Sequence, residues 1–201
     1  ADLTNTFNSE EATVLEVDNQ PIIELPANAF VDADGVLYSG PIIATITLID
    51  PSSDPELMPG NYQALNPISP EPIMIESFGA VDMRFTDDNG NLLALSDGVT
   101  PQVSIPLASS RDNSSPESMP LYYFDNTSGL WVEQGTAILT ETNHGLVYRG
   151  EIDRLATWNA DIPMTTSQIK GCVINRNGDP FAYSRILVSG RDYIGLTVAI
   201  S

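Results

Sequence analysis

Three acidic loops hold the residue types best suited to chemistry. Asp32 and Asp34 flank Ala33 just before Gly35, Asp54 and Glu56 flank Pro55, and Asp87-Asp88-Asn89 leads into Gly90. Carboxylate and amide oxygens at alternate positions of a tight turn suit calcium, which takes six to eight oxygen ligands. None of the loops reaches the spacing of an EF-hand, which needs a further glutamate downstream of the glycine. Asp and Asn are also the residues that tolerate turn conformations. The same spacing therefore fits plain turns, and both readings stand. Tyr122, Tyr123 and Trp131 form a second set, since exposed aromatic faces with polar neighbours are what a carbohydrate site requires. Tryptophans of β-sandwiches more often plug the core, and Trp158, beside Asn159 and Asp161, is expected to do so.

Reactive constellations are hard to assemble from the rest. The chain has one histidine, His144, and one cysteine, Cys172. That pair cannot build a zinc cluster. A serine triad would need His144, which sits in the apparent turn Asn143-His144-Gly145, and no G-x-S-x-G elbow is present. No phosphate-cradling glycine loop occurs, and no spacing selects a pair of carboxylates for glycoside hydrolysis. The expectation is a protein that is not an enzyme. A lone cysteine leaves no disulfide within the chain.

Charge narrows the partners. Twenty-seven acidic against eight basic side chains give a net −19 over 201 residues, and residues 1–83 contain no lysine or arginine. Such a polyanion is repelled by nucleic-acid phosphates and anionic membranes, so nucleic acid is not expected as a partner. Calcium, neighbouring domains, other surface proteins and glycans are the partners to consider. No run of 18 apolar residues exists, so no membrane insertion is expected. The chain opens at Ala1 with neither a basic nor an apolar leader, so either a signal peptide has been removed or the sequence starts after one, as expected of an extracellular, cell-surface or periplasmic protein.

The elements that must position these residues read as strands. Apolar and polar residues alternate over short runs between Gly, Pro, Asn and Asp clusters, and no 12-residue pattern of period 3.6 appears. Residues 1–11 read as a loose polar leader. Strands are expected over 12–17, 22–25, 41–49, 73–77, 80–85, 92–95, 102–106, 121–124, 130–134, 136–140 and 146–152. Asp-Gly forms a hairpin turn within 30–38. The 41–49 strand has two apolar faces and is expected to be central. Residues 108–119 read as a surface loop. The fold class is all-β: an antiparallel sandwich over 12–163, a linker at 164–168, and a hairpin-bearing segment over 169–201.

Two resemblances refine this reading. Met58-Pro59-Gly60, Glu76 to Ala80, the Tyr123-Phe124-Asp125 to Gly135 run and Trp158-Asn159-Ala160-Asp161 together resemble a β-sandwich module of bacterial secreted and surface proteins. This implies location and architecture rather than chemistry. Gly171 and Val173, followed by Asn175 to Pro180 and an apolar run to Gly190, are similar to the start of the carboxypeptidase-regulatory-like family, a transthyretin-like sandwich. That resemblance implies a truncated hairpin whose apolar residues need cover elsewhere, and a partner for Cys172 beyond Ser201 or, alternatively, a buried free thiol. Leu155-Ala156-Thr157 also falls where a His-Phe-Ser motif of self-cleaving ZU5- and GAIN-type domains would lie. Without the histidine, Thr157 reads as an ordinary strand residue. The function expected is a structural or adhesive extracellular module, with a calcium- or carbohydrate-binding module or an unassigned hydrolase as alternatives.

Overall fold

The computed structural model describes residues 2–111, 115–164, 171–189 and 196–200. Apart from Met164, the expected linker lies outside them. The chain is all-β, with fifteen strands among the described residues: β1 (Asp2–Asn8), β2 (Thr13–Val17), β3 (Gln20–Leu25), β4 (Phe30–Val31), β5 (Pro41–Ile49), β6 (Gln63–Ala64), β7 (Ile73–Thr86), β8 (Ala94–Leu95), β9 (Gln102–Pro106), β10 (Ser118–Asp125), β11 (Leu130–Thr142), β12 (Gly145–Glu151), β13 (Trp158–Met164), β14 (Arg185–Ser189) and β15 (Leu196–Ile200). The only helical turn among them is a 3-10 turn at Pro55–Leu57.

One eleven-stranded, almost wholly antiparallel sheet runs β1-β5-β7-β13-β10-β11-β12-β9-β3-β2, with the two-residue β6 bridging β7 and β11. The sheet folds over on itself like a sandwich. Phe78 of β7 meets Tyr148 of β12 edge to face, at 6.3 Å between ring centres, although four positions of the sheet order separate the two strands. Leu15, Ile22, Ile23, Ile42, Ile46, Val103, Ile105, Leu121 and Trp158 are all buried in the one cluster this folding encloses.

The first residues are not a loose leader. Asp2 to Asn8 pair with Thr47 to Pro41 along all of β1. Leu3 and Phe7, four residues apart, point to the same side and pack on the core, and Phe7 closes a ring cluster with Phe30 (5.9 Å) and Phe85 (6.3 Å). Polar residues between two inward apolar ones are the period-2 mark of an edge strand. Consequently β5 is second from the edge rather than central. Ile42, Ala44 and Ile46 are buried on its inner face, while Thr45 is exposed.

The expected 73–77 and 80–85 strands are a single strand, β7, and the apparent break between them is a β-bulge. Opposite Asn159 and Asp161 of β13 stand Ala80 and Ser77, so β7 carries one extra residue there. Gly79 within the bulge has φ +153°, and a Cβ built on it would lie 2.2 Å from the Pro106 carbonyl oxygen. The break expected at 135 is of the same kind. Glu133 and Thr136 of β11 face Tyr122 and Pro120 of β10, with Gly135 at φ +84° between them. Bulges leave both strands continuous while switching which residues face inward. In β7, Ile75 lies in one core cluster, whereas Val81, Met83 and Phe85 lie in the other.

Three turns share one hydrogen-bond pattern: Asp32 to Val36, Asp87 to Asn91 and Asn175 to Asp179. In each, the first side-chain oxygen accepts the amides two and four residues on. The first amide donates to the fifth carbonyl, and the glycine amide donates back to the first carbonyl. The glycine has φ of +76°, +84° and +90° in turn. This is a short hairpin loop with a left-handed glycine closing it.

A second, smaller core lies on the other side of β7 and β13, under the connection from Asp50 to Ala64. Met58, Tyr62 and Ala64 close over Ile75, Ala80, Tyr122 and Trp131. Asp50 pins this connection. Its carboxylate accepts the Ser52 amide (2.9 Å), the Ser53 hydroxyl (3.2 Å), the Ser109 amide (3.1 Å) and the Ser52 hydroxyl. Burial pushes the Asp50 pKa up, but the Ser52 and Ser109 hydrogen bonds outweigh it and leave the carboxyl at about 2. Such a group stabilises the fold above the ordinary aspartate range, and its contribution is lost as pH falls towards 2. Asp50→Ala is expected to cost about 2 kcal/mol at neutral pH, the scale of hydrogen bonds to a charged group. Chemical denaturation of the variant at pH 7 and near pH 3 checks this, since the difference from the parent should shrink in acid.

Beyond β13, β14 and β15 pair antiparallel as a separate two-stranded sheet, Arg185 opposite Ile200 through Ser189 opposite Leu196. The Asn175 turn ahead of it closes with Ile174 bridged to Pro180. Ile200 is 75% exposed and Leu187 50%, while Ile186 and Val188 are half-buried. Gly190, where the apolar run was expected to end, lies outside the described residues.

Candidate functional site

The acidic loops do not converge. Both amide contacts of Asp32 Oδ1, to Asp34 (3.0 Å) and Val36 (2.9 Å), hold its own turn. Asp87 accepts the Asn89 and Asn91 amides through Oδ1 and the Asn91 carboxamide (2.8 Å) through Oδ2. The Asn91 side-chain bond in particular lowers the Asp87 pKa. The Asn89 carboxamide donates to Asp88 Oδ1 at 2.9 Å. Asp54 stands at the head of the 3-10 turn without a side-chain capping bond, and Glu56 lies within that turn. Among the described residues, no three His, Cys, Asp or Glu side chains come together in a way that could hold a metal ion.

Of the aromatic candidates, Tyr122 and Trp131 are fully buried, so neither offers a face to a sugar. Tyr123 is half-buried, with the Arg154 guanidinium 4.0 Å over its ring and Trp158 5.7 Å away. Trp158 plugs the core as expected, its Nε1–H donating to the Arg154 carbonyl at 3.0 Å. Trp131 differs: its Nε1–H is buried without an acceptor among the described residues. Cys172 is exposed and free, so the buried thiol expected as one alternative is not what the fold makes of it. The Thr157 hydroxyl donates to Asp82 Oδ1 at 2.6 Å, and His144 lies away in the β11–β12 turn.

The least expected grouping is buried. On the side of β7 and β13 that faces the smaller core, Ser77, Asn159 and Asp161 are all 0% exposed. The Ser77 hydroxyl donates to Asn159 Oδ1 (2.6 Å), and the Asn159 carboxamide donates to Asp161 Oδ2 (2.7 Å). Among the described residues, Asp161 Oδ1 has no hydrogen-bond partner. Burial drives the Asp161 pKa well above the carboxylate range; the Ser77 hydroxyl opposes this in part, and nearby Glu76 adds to it. Burial likewise raises the Tyr62 and Tyr122 phenols, and the Asp161 carboxyl contributes to both shifts. In the sequence, Asn159 and Asp161 read as polar residues beside a tryptophan. The missed signal was their spacing of two on a strand, which gives them one face. Ser77→Ala would leave the Asn159 carbonyl buried without its donor. It is expected to cost about 1–3 kcal/mol, read as a lower denaturant midpoint at unchanged slope.

The Tyr122 hydroxyl reaches outward from this interior to Glu133 Oε2 at 3.3 Å. Glu133 lines an open cleft of about 570 Å³, together with Val132, Leu65, Asn66 and Pro67, Pro70 and Pro72 of the preceding loop. Ile68, at the tip of that loop, is 92% exposed. Ser69 in the cleft wall is engaged by the Asn66 carboxamide (3.0 Å) and the Glu71 amide (3.3 Å). The cleft thus offers apolar proline surface and one carboxylate.

Residues 68–164 match the FAM171A1/A2/B N-terminal family. This is a eukaryotic family, and the match overturns the resemblance to a bacterial surface module. It spans β7 to β13, and with them the Gly79 bulge, both tryptophans and the Ser77–Asn159–Asp161 group. Trp158, Asn159, Ala160 and Asp161, among the motifs that suggested a bacterial module, are all buried, so they carried architecture. No solved structure matches the chain. Among the described residues, no helix is long and apolar enough to cross a membrane.

Proposed function

We propose that this chain is a non-enzymatic extracellular module that spaces or presents neighbouring domains and meets protein partners through its surface. The observation that supports this reading best is how its polar chemistry is spent. The Asp32, Asp50, Asp87 and Asp125 carboxylates hold their own loops, and Asp161 is sealed in the interior. A rigid sheet with a strongly acidic surface stays soluble beside its neighbours and steers cationic partners towards it. Calcium binding and glycan binding are the alternatives.

A thermal melt in EDTA, then in millimolar calcium and in magnesium, tests the choice. The expected result is an unchanged midpoint, because the turn carboxylates already accept backbone amides. A rise of several degrees with calcium alone would show a ligand bound to the folded state. It would move the assignment to a calcium-binding module.

A further inference from the structure

Two of the fourteen asparagines head an Asn-x-Ser/Thr triplet: Asn113-Ser114-Ser115 and Asn126-Thr127-Ser128. Asn113 lies outside the described residues. Asn126 sits in the turn between β10 and β11, where residues 126–129 are all exposed. We propose that Asn126 is an acceptor for N-linked glycan, an inference that rests on the extracellular reading above.

The turn meets the physical demands of such a site. Asp125, one residue before, takes the local amides: Thr127 N donates to Oδ1 (2.9 Å) and Ser128 N to Oδ2 (3.2 Å), while Gly129 N donates to the Asp125 carbonyl (2.8 Å). Those bonds hold the loop without using the Asn126 side chain, whose carboxamide has no hydrogen bond among the described residues. At the base of the hairpin, Phe124 and Trp131 stack edge to face at 5.3 Å, so the tip projects from an anchored stem. A branched, hydrophilic sugar on Asn126 therefore displaces no packed side chain and breaks no bond of the turn. The triplet supplies the hydroxyl that the transfer requires two residues on, at Ser128.

The reaction is a group transfer from an isoprenoid diphosphate-linked oligosaccharide. The Asn126 amide nitrogen forms a bond to C1 of the first sugar as the bond from C1 to the diphosphate oxygen breaks. The isoprenoid diphosphate leaves, and the amide proton passes to a base.

The test is expression of the full chain behind a secretion signal in eukaryotic cells, with occupancy read by peptide mass on secreted and cell-retained protein together. Peptide N-glycosidase should convert Asn126 to aspartate and remove one glycan's mass. Asn126→Gln and Ser128→Ala should abolish that glycan, Ser128→Thr should retain it, and Asn113→Gln should leave it unchanged. An unmodified Asn126 on chain that has entered the secretory route, or a glycan at Asn113 alone, overturns the inference. Chain that carries the Asn126 glycan but is retained unfolded would uphold the acceptor site and count instead against the extracellular reading.

Discussion

Gly79→Ala should lower stability by about 3–5 kcal/mol, the sum of an overpacking cost and the strain of a left-handed backbone. Two observations combine at this one residue. Its φ of +153° is one that L side chains rarely adopt, and the new Cβ would stand 2.2 Å from the Pro106 carbonyl oxygen. That oxygen belongs to the end of β9, so neither strand can move aside as a flexible side chain would. Just ahead of Gly79, Phe78 must enter the main core while Ser77 turns to the opposite face, onto Asn159. Relief of the clash would therefore have to shift both. A melt midpoint lower by about 6–20 °C is expected for a domain of this size. Gly145→Ala provides the control. Gly145 has φ +117° but nothing within 4 Å of its Cβ position, so it carries the conformational cost without the clash. Equal losses at the two positions would show that the approach to Pro106 contributes nothing.

The bulge also shows why part of this fold was legible in the sequence and part was not. The limits of β5 and β9 follow directly from alternation bounded by proline and aspartate. The three five-residue turns follow from an Asp or Asn placed three residues before a glycine. β7 and β11 were divided in two because Gly79 and Gly135 interrupt the period, and a change of face at a glycine looks the same in one dimension whether the strand ends or bulges. β1 is hard to read because this edge strand half-buries only Leu3 and Phe7, too few to stand out among polar neighbours. The acidic turns were legible as turns, but whether their oxygens point at each other or at their own amides depends on side-chain rotamers that spacing does not encode. Tyr122 and Trp131 were misplaced for a related reason. The polar loop from Asp50 to Ala64 carries too few apolar residues to read as the roof of a second core, and without that roof both rings would face solvent.

Asp161→Asn is expected to reverse the usual consequence of losing a charged side chain and to raise stability at neutral pH. The folded state holds the Asp161 carboxyl well above its ordinary pKa of 3.8, chiefly because the group is wholly buried. Between that value and the raised one, the folded chain binds a proton that the unfolded chain has released. Stability therefore falls as pH rises through this window and levels off above the folded pKa. One proton sets the limiting slope at about 1.4 kcal/mol per pH unit. Asparagine has no proton to lose, and its carbonyl can accept the Asn159 carboxamide that Asp161 Oδ2 accepts at 2.7 Å. The variant's curve should lack this fall, so its advantage over the parent should grow from about pH 4 upwards and then become constant. Asp50 and Asp87, whose pKa values the fold lowers, act in the opposite direction and mainly below pH 4, so subtracting the two curves isolates Asp161. Denaturant unfolding of both proteins from pH 3.5 to 8 measures the difference. A gap that stays flat across that range would mean that Asp161 is ionised in the fold, with a stabilising partner for Oδ1. A gap that widens towards acid would mean that its charge stabilises the smaller core. The growing gap is expected because burial is the main cause of the raised pKa and, among the described residues, Asp161 Oδ1 has no hydrogen-bond partner.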